Sequence, residues 1–137
     1  MQAINFWPIL VASLVAFGLG ALWYSPILFG KEWMSLIKMD DSEIAGMKVS
    51  GVWKGYVAQF VLTLVTFAIL GFVINSTIAT TATDGGFIGF ILWLGFIIPT
   101  AASGLLWKKD PFKLVLIDVV NQLLVLVIGG AIIGVWR

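Results

Sequence analysis

Residues Leu114 to Trp136 read LVLIDVVNQLLVLVIGGAIIGVW. A helix rises about 1.5 Å per residue and about 20 apolar residues cross the hydrocarbon, so this run is long enough to span a bilayer. It nevertheless contains Asp118, Asn121 and Gln122, which fall at i, i+3 and i+4 and share one helical face. Nowhere else in the chain does an ionisable group sit at membrane depth. A carboxylate there is costly unless it is paired, hydrogen-bonded or hydrated, so polar chemistry is to be sought on this face first.

The rest of the composition agrees with a membrane-embedded chain. Of 137 residues, 61% are hydrophobic and 11% charged, and the mean hydropathy is +1.08. A soluble domain of this length could not hide so much apolar surface, and the expected class is an all-α, multi-pass membrane protein. The net charge of +1 gives no support to nucleic acid as a partner. With no Cys and no His, disulfides, thiolate nucleophiles, imidazole bases and Cys/His metal or haem sites are excluded. No cofactor motif is present, so no cofactor and no metal are expected. An enzyme is disfavoured because no second intramembrane carboxylate or phosphate-cradling glycine loop accompanies Asp118.

Four spans are expected, at about 6–25, 53–78, 87–107 and 113–136, with an amphipathic interfacial elbow over 26–52, the whole forming one domain over 1–137. The first span has no Lys or Arg before it and runs into Trp23-Tyr24-Ser25-Pro26 rather than into a cleavage site, which reads as a retained helix. Asn5 is its candidate cap, and Pro8 suits its first turn. Ala12, Ala16 and Gly20 recur every four residues, a spacing that lets a second helix approach closely, and Gly130 and Gly134 repeat it in the fourth span. Four short helices enclose little interior, so these small-residue faces suggest homo-oligomerisation as well as packing.

Between the first two spans, Trp33, Leu36 and Ile37 fall on one helical stripe. Asp41 or Ser42 could cap a further short helix carrying Ile44 and Met47, so surface-lying helices are expected here. An ordinary connector packed on its own helix ends is the alternative. The second span carries Gln59, Thr63 and Thr66 on one face. A Thr- and Gly-rich linker through Thr80 to Gly86 precedes the third span, where Pro99 should free the Gly95 carbonyl and bend the helix, with Thr100 or Ser103 at hand to satisfy exposed groups.

Lys31, Lys38, Lys48, Lys54, Lys108, Lys109 and Lys113 flank one membrane face and only Arg137 the other. The positive-inside rule places the Lys-rich loops in the cytoplasm of an inner-membrane protein and both termini outside. Counting from the cytoplasmic boundary, Gln59, Thr63 and Asp118 lie roughly 5 to 10 Å inside, with Asn121, Gln122 and Thr66 nearer the midplane and Thr100 and Ser103 in the same inner half. Two readings follow. Asp118 could be a proton- or cation-responsive carboxylate in a polar cavity, held by Gln59, Thr63 or Asn121, in a small transporter or channel. Or it could be structural, complementing the positive end of its helix dipole, reaching Lys113 or Lys109, or bonding across helices in a protein of assembly-type role.

The elbow has a signature of its own. Trp23 and Tyr24 suit the headgroup layer, Ser25-Pro26 stops the first helix, and Phe29 and Trp33 dip back into the interface after Gly30. The block W-Y-S-P-x-x-F-G-x-x-W over Trp23 to Trp33, the Gly-Phe-x-x-Pro segment from Gly95 to Pro99 and the Ile117-Asp118 pair resemble a bacterial family of small integral membrane proteins known as domain of unknown function 1761. The resemblance covers essentially the whole chain. It implies a four-helix membrane protein and leaves the activity open.

Overall fold

The computed structural model describes residues 3–37, 42–43, 46 and 51–136. Five helices occur among these, and four are long and apolar enough to cross a membrane. They are α1 (Phe6–Trp23), the short α2 (Gly30–Leu36), α3 (Trp53–Asn75), α4 (Ala82–Lys108) and α5 (Phe112–Val135). The all-helical, four-span architecture expected from hydropathy is therefore present. The further short helix expected to start at Asp41 or Ser42 and carry Ile44 and Met47 lies largely outside the described residues, of which 42, 43 and 46 are helical.

Each helix begins and ends for a local reason. Asn5 caps α1 by accepting from the Trp7 N–H at 3.2 Å, and Pro8 costs nothing in the first turn, where its missing donor has no intrahelical partner. α3 stops at Asn75 rather than 78, because Ser76 and Thr77 turn their hydroxyls back onto the carbonyls of Phe72 and Ile74 at 2.8 and 2.7 Å and close the final turn. α4 begins at Ala82, five residues before the expected Phe87. Thr81 and Asp84 form a reciprocal capping box, with Asp84 N–H donating to Thr81 Oγ1 and Thr81 N–H to Asp84 Oδ2, both at 3.2 Å or less. The glycines that suggest a linker are thus the first turns of a helix.

α5 is the hub, touching α1, α2, α3 and α4. In lipid there is little hydrophobic drive between apolar helices, so association rests on close van der Waals approach and on hydrogen bonds. The close approach is concentrated at the end of the bundle remote from α2. There Gly85, Gly86 and Gly89 of α4 are buried against α5; a Cβ on Gly85 would strike the Gly130 carbonyl and come within 2.9 Å of Gly134 Cα. Phe67 of α3 is fully buried and fills the space that a side chain at Gly129 would need. Ile9, Ala12 and Ala16 of α1 join Leu70 and Ile74 of α3 in the same core.

The small-residue faces are therefore occupied within the chain. Gly130 and Gly134 serve α4, and Ala12 and Ala16 serve the core, while Gly20 stands open with nothing within 4 Å of where a Cβ would lie. The expectation that the Gly130/Gly134 face awaits a second copy is corrected accordingly. α4 is irregular from its middle onward, with π-helical turns at Trp93–Ile97 and Gly104–Lys108. Pro99 sits just beyond the first of these, where the wider turn absorbs the donor that its ring lacks.

Candidate functional site

The end of the bundle nearest α2 is built differently, from polar and aromatic contacts. Past Trp23 the chain reverses sharply. Ser25 Oγ donates to the Leu22 carbonyl at 2.6 Å, Phe29 N–H to the Trp23 carbonyl at 3.0 Å, and Gly30 N–H to the Ser25 carbonyl at 2.9 Å. A side chain at position 30 would meet the Ser25 carbonyl carbon and oxygen at 2.8 Å, so only glycine fits this reversal. Phe29 then folds back on Trp23 with ring centroids 4.6 Å apart, and Trp33 of α2 meets Tyr24 edge-on at 5.6 Å. Pro26 cannot continue α1, and Ser25 ties off its last turn. These residues make the elbow rigid.

The rigid elbow presents two donors to α5. Trp23 Nε1 donates to the Ile117 carbonyl at 3.1 Å, and the Tyr24 hydroxyl donates to Asp118 Oδ1 at 2.7 Å. From the other side, Trp93 Nε1 of α4 donates to the Val119 carbonyl at 2.8 Å. Each carbonyl has a second lone pair beyond its helical use, so indole donors can be added without breaking the helix. Asp118 is thus flanked along the backbone by two tryptophan bonds and capped on its side chain by a tyrosine. A salt bridge from Lys113 Nζ to Glu32 Oε2 at 3.1 Å joins α2 to the first turn of α5.

Burial, and then the neighbouring Asp118 carboxylate, push the Tyr24 phenol well above its ordinary pKa, while Asn121 pulls weakly the other way. Tyr24 accordingly remains a donor. Asn121 lies against the same hydroxyl, and its Oδ1 is buried without a hydrogen-bond partner among the described residues. The partner of Asp118 is therefore Tyr24 and not Gln59, Thr63 or Asn121, and Lys113 is engaged by Glu32 rather than by Asp118.

The other polar residues are not gathered around it. Gln59 Nε2 reaches Thr63 Oγ1 at 3.4 Å and Thr63 donates to the Gln59 carbonyl at 2.8 Å, both on an outward part of α3. Thr66, Thr100 and Ser103 donate to the carbonyls of Leu62, Phe96 and Pro99 in their own helices at 3.1, 2.7 and 3.1 Å. A hydroxyl on an apolar surface satisfies itself on the carbonyl one turn back when no neighbour is near. Gln122 is exposed. The shared depth of these residues does not make a cluster, because helices that share a depth can still turn their polar faces apart.

Two participants carried no mark in the sequence as donors to this part of α5. Tyr24 has an independent anchoring role at the headgroups, and Trp93 looks like one more apolar residue of a span. One signal was available for Tyr24: the block at Trp23 and the Ile117-Asp118 pair both carry the family resemblance, and in the folded chain they touch.

A family model described as a protein of unknown function (DUF1761) matches residues 7–134. The chain belongs to the DUF1761 family. No curated protein and no solved structure matches it. In this DUF1761 protein the match runs from Trp7 to Gly134, so it takes in the elbow, the Pro99 segment and Asp118 together.

Proposed function

We propose that this DUF1761 protein is a non-enzymatic, multi-pass protein of the inner membrane with a structural or assembly-type role. In this reading it acts as a homo-oligomer, with both termini outside and the Lys-rich loops in the cytoplasm. The observation that carries the reading is the 2.7 Å bond from Tyr24 to Asp118, which uses the one intramembrane carboxylate as a clamp for the elbow. A short hydroxyl–carboxyl bond between two helix ends is a directional tie. The indole bonds at Ile117 and Val119 support the same use of this part of α5. Self-association is supported by α4, which has no buried residue between Leu94 and Ser103 and leaves Thr100 and Ser103 exposed.

The test is a double-mutant cycle with Tyr24→Phe, Asp118→Ala and both together, read as unfolding free energy in detergent. A clamp gives a coupling of about 1 kcal/mol between the two changes, and independent residues give none. Purified protein in liposomes should carry no proton or sodium flux. Flux that disappears in Asp118→Asn would sink the structural reading and favour a small ion- or proton-coupled transporter. The buried Asn121 Oδ1 favours that second reading, since among the described residues it is an acceptor without a donor.

A further inference from the structure

Among the described residues, Lys109 is the only non-glycine residue with positive φ, at φ 55° and ψ 39°. It occupies the position just past the end of α4, where a left-handed residue closes the helix and glycine is the usual occupant. Its N–H and that of Asp110 both bond the Gly104 carbonyl, so the turn is pinned in this conformation. A lysine held where glycine would be easier puts the reason for it in the side chain, since strained backbone is retained where function uses it.

The residues around the turn narrow what that side chain could serve. Trp107 is 84% exposed and Phe112 is 67% exposed, one on each side of the turn. The two nearby carboxylates are already engaged, Asp110 by Lys108 at 3.7 Å and Glu32 by Lys113 at 3.1 Å. Lys109 has no anionic partner among the described residues. An ammonium without an anionic partner among the described residues, on a turn flanked in sequence by two exposed aromatic residues that suit the interfacial layer, is complementary to a phosphate at the membrane surface.

We propose that the turn Trp107 to Phe112 is a binding site for the headgroup of an anionic phospholipid, with Lys109 as its phosphate contact and Trp107 and Phe112 seated among the upper acyl chains. The positive-inside rule alone accounts for lysines in this loop, but it is indifferent to their backbone conformation. The site differs from a generic charged surface in depending on Lys109 more than on other lysines at the same face.

The experiment measures thermal unfolding in nanodiscs of phosphatidylcholine alone and of phosphatidylcholine mixed with phosphatidylglycerol, for the natural protein and for Lys109→Gly, Lys109→Asn and Lys54→Gln. The natural protein should gain stability from phosphatidylglycerol and lose that gain at high salt. In phosphatidylcholine alone, Lys109→Gly should unfold roughly 3 °C higher, because glycine relieves the turn, yet gain nothing from phosphatidylglycerol. Lys109→Asn, which tolerates the same conformation, should also lose the gain. Lys54 sits 5.9 Å over the Trp53 ring, outside this turn, and Lys54→Gln should keep it. An undiminished gain in both Lys109 variants, or an equal loss in Lys54→Gln, would overturn the proposal.

Discussion

The Tyr24 hydroxyl bond has a consequence for pH that can be signed. Its phenol pKa is raised in the folded chain above the ordinary value of 10.0, so on alkalinisation the unfolded chain loses its proton first. Stability that this group contributes is complete below pH 10.0 and declines above it. Alkaline denaturation of the natural protein should steepen there relative to Tyr24→Phe, and parallel curves for the two proteins would show that Tyr24 is not so placed. At the tightly packed end the decisive residue is Gly129, whose missing side chain is where the Phe67 ring lies. Gly129→Ala should cost about 2 kcal/mol of stability by overpacking, and Phe67→Leu in the same chain should recover part of it. If the second change adds its own loss with no recovery, the two residues do not share that space.

At the scale of helices, α4 shows what a sequence discloses and what it conceals. Its apolar length was legible, because a span needs length and hydropathy and little else. Its start was not. Thr80 to Gly86 contains the residues of a turn, and the same residues cap a helix and let it approach a neighbour; only the partner helix decides between these uses. The cap is testable: Thr81→Ala should destabilise the chain by about 1 kcal/mol and Asp84→Ala should also destabilise it, with less than additive loss in the pair. The effect of Pro99 was legible as a disturbance and not as its form, since whether a helix bends or widens into a π turn depends on what its neighbours accept. Asp118 stood out at once, because few residues are so costly in lipid. Its partner did not, because Tyr24 lies at a helix end, where an aromatic residue is ordinary.

For the whole molecule, the four long helices are held by two unlike means at the two ends. Near Gly85 and Gly130, α4 and α5 are packed backbone to backbone, with the Phe67 ring of α3 laid on Gly129; near Tyr24 and Asp118, α1, α4 and α5 are joined by a few directed bonds. Substitution of Gly130 and Gly134 by Leu should therefore unfold the protomer and not merely lower the mass of its oligomer. A well-folded variant of smaller mass would return that face to an intermolecular role. Self-association through the unburied stretch of α4 predicts that Ala102→Cys forms disulfide-linked dimers in native membranes, whereas Ala12→Cys, buried in the core, does not.

Tyr24 and Asp118 are separated by 94 positions. A ribosome delivering this chain into a membrane must produce α1, the elbow, α3 and α4 before the acceptor for Tyr24 exists, so the first helix spends most of synthesis with its polar end uncommitted. Closing so long a loop comes late and only once, when α5 has entered beside α1. The bond is then a record that α5 has been inserted. Nascent chains halted before residue 114 should leave a cysteine placed at Tyr24 open to thiol reagents, and release past α5 should shield it.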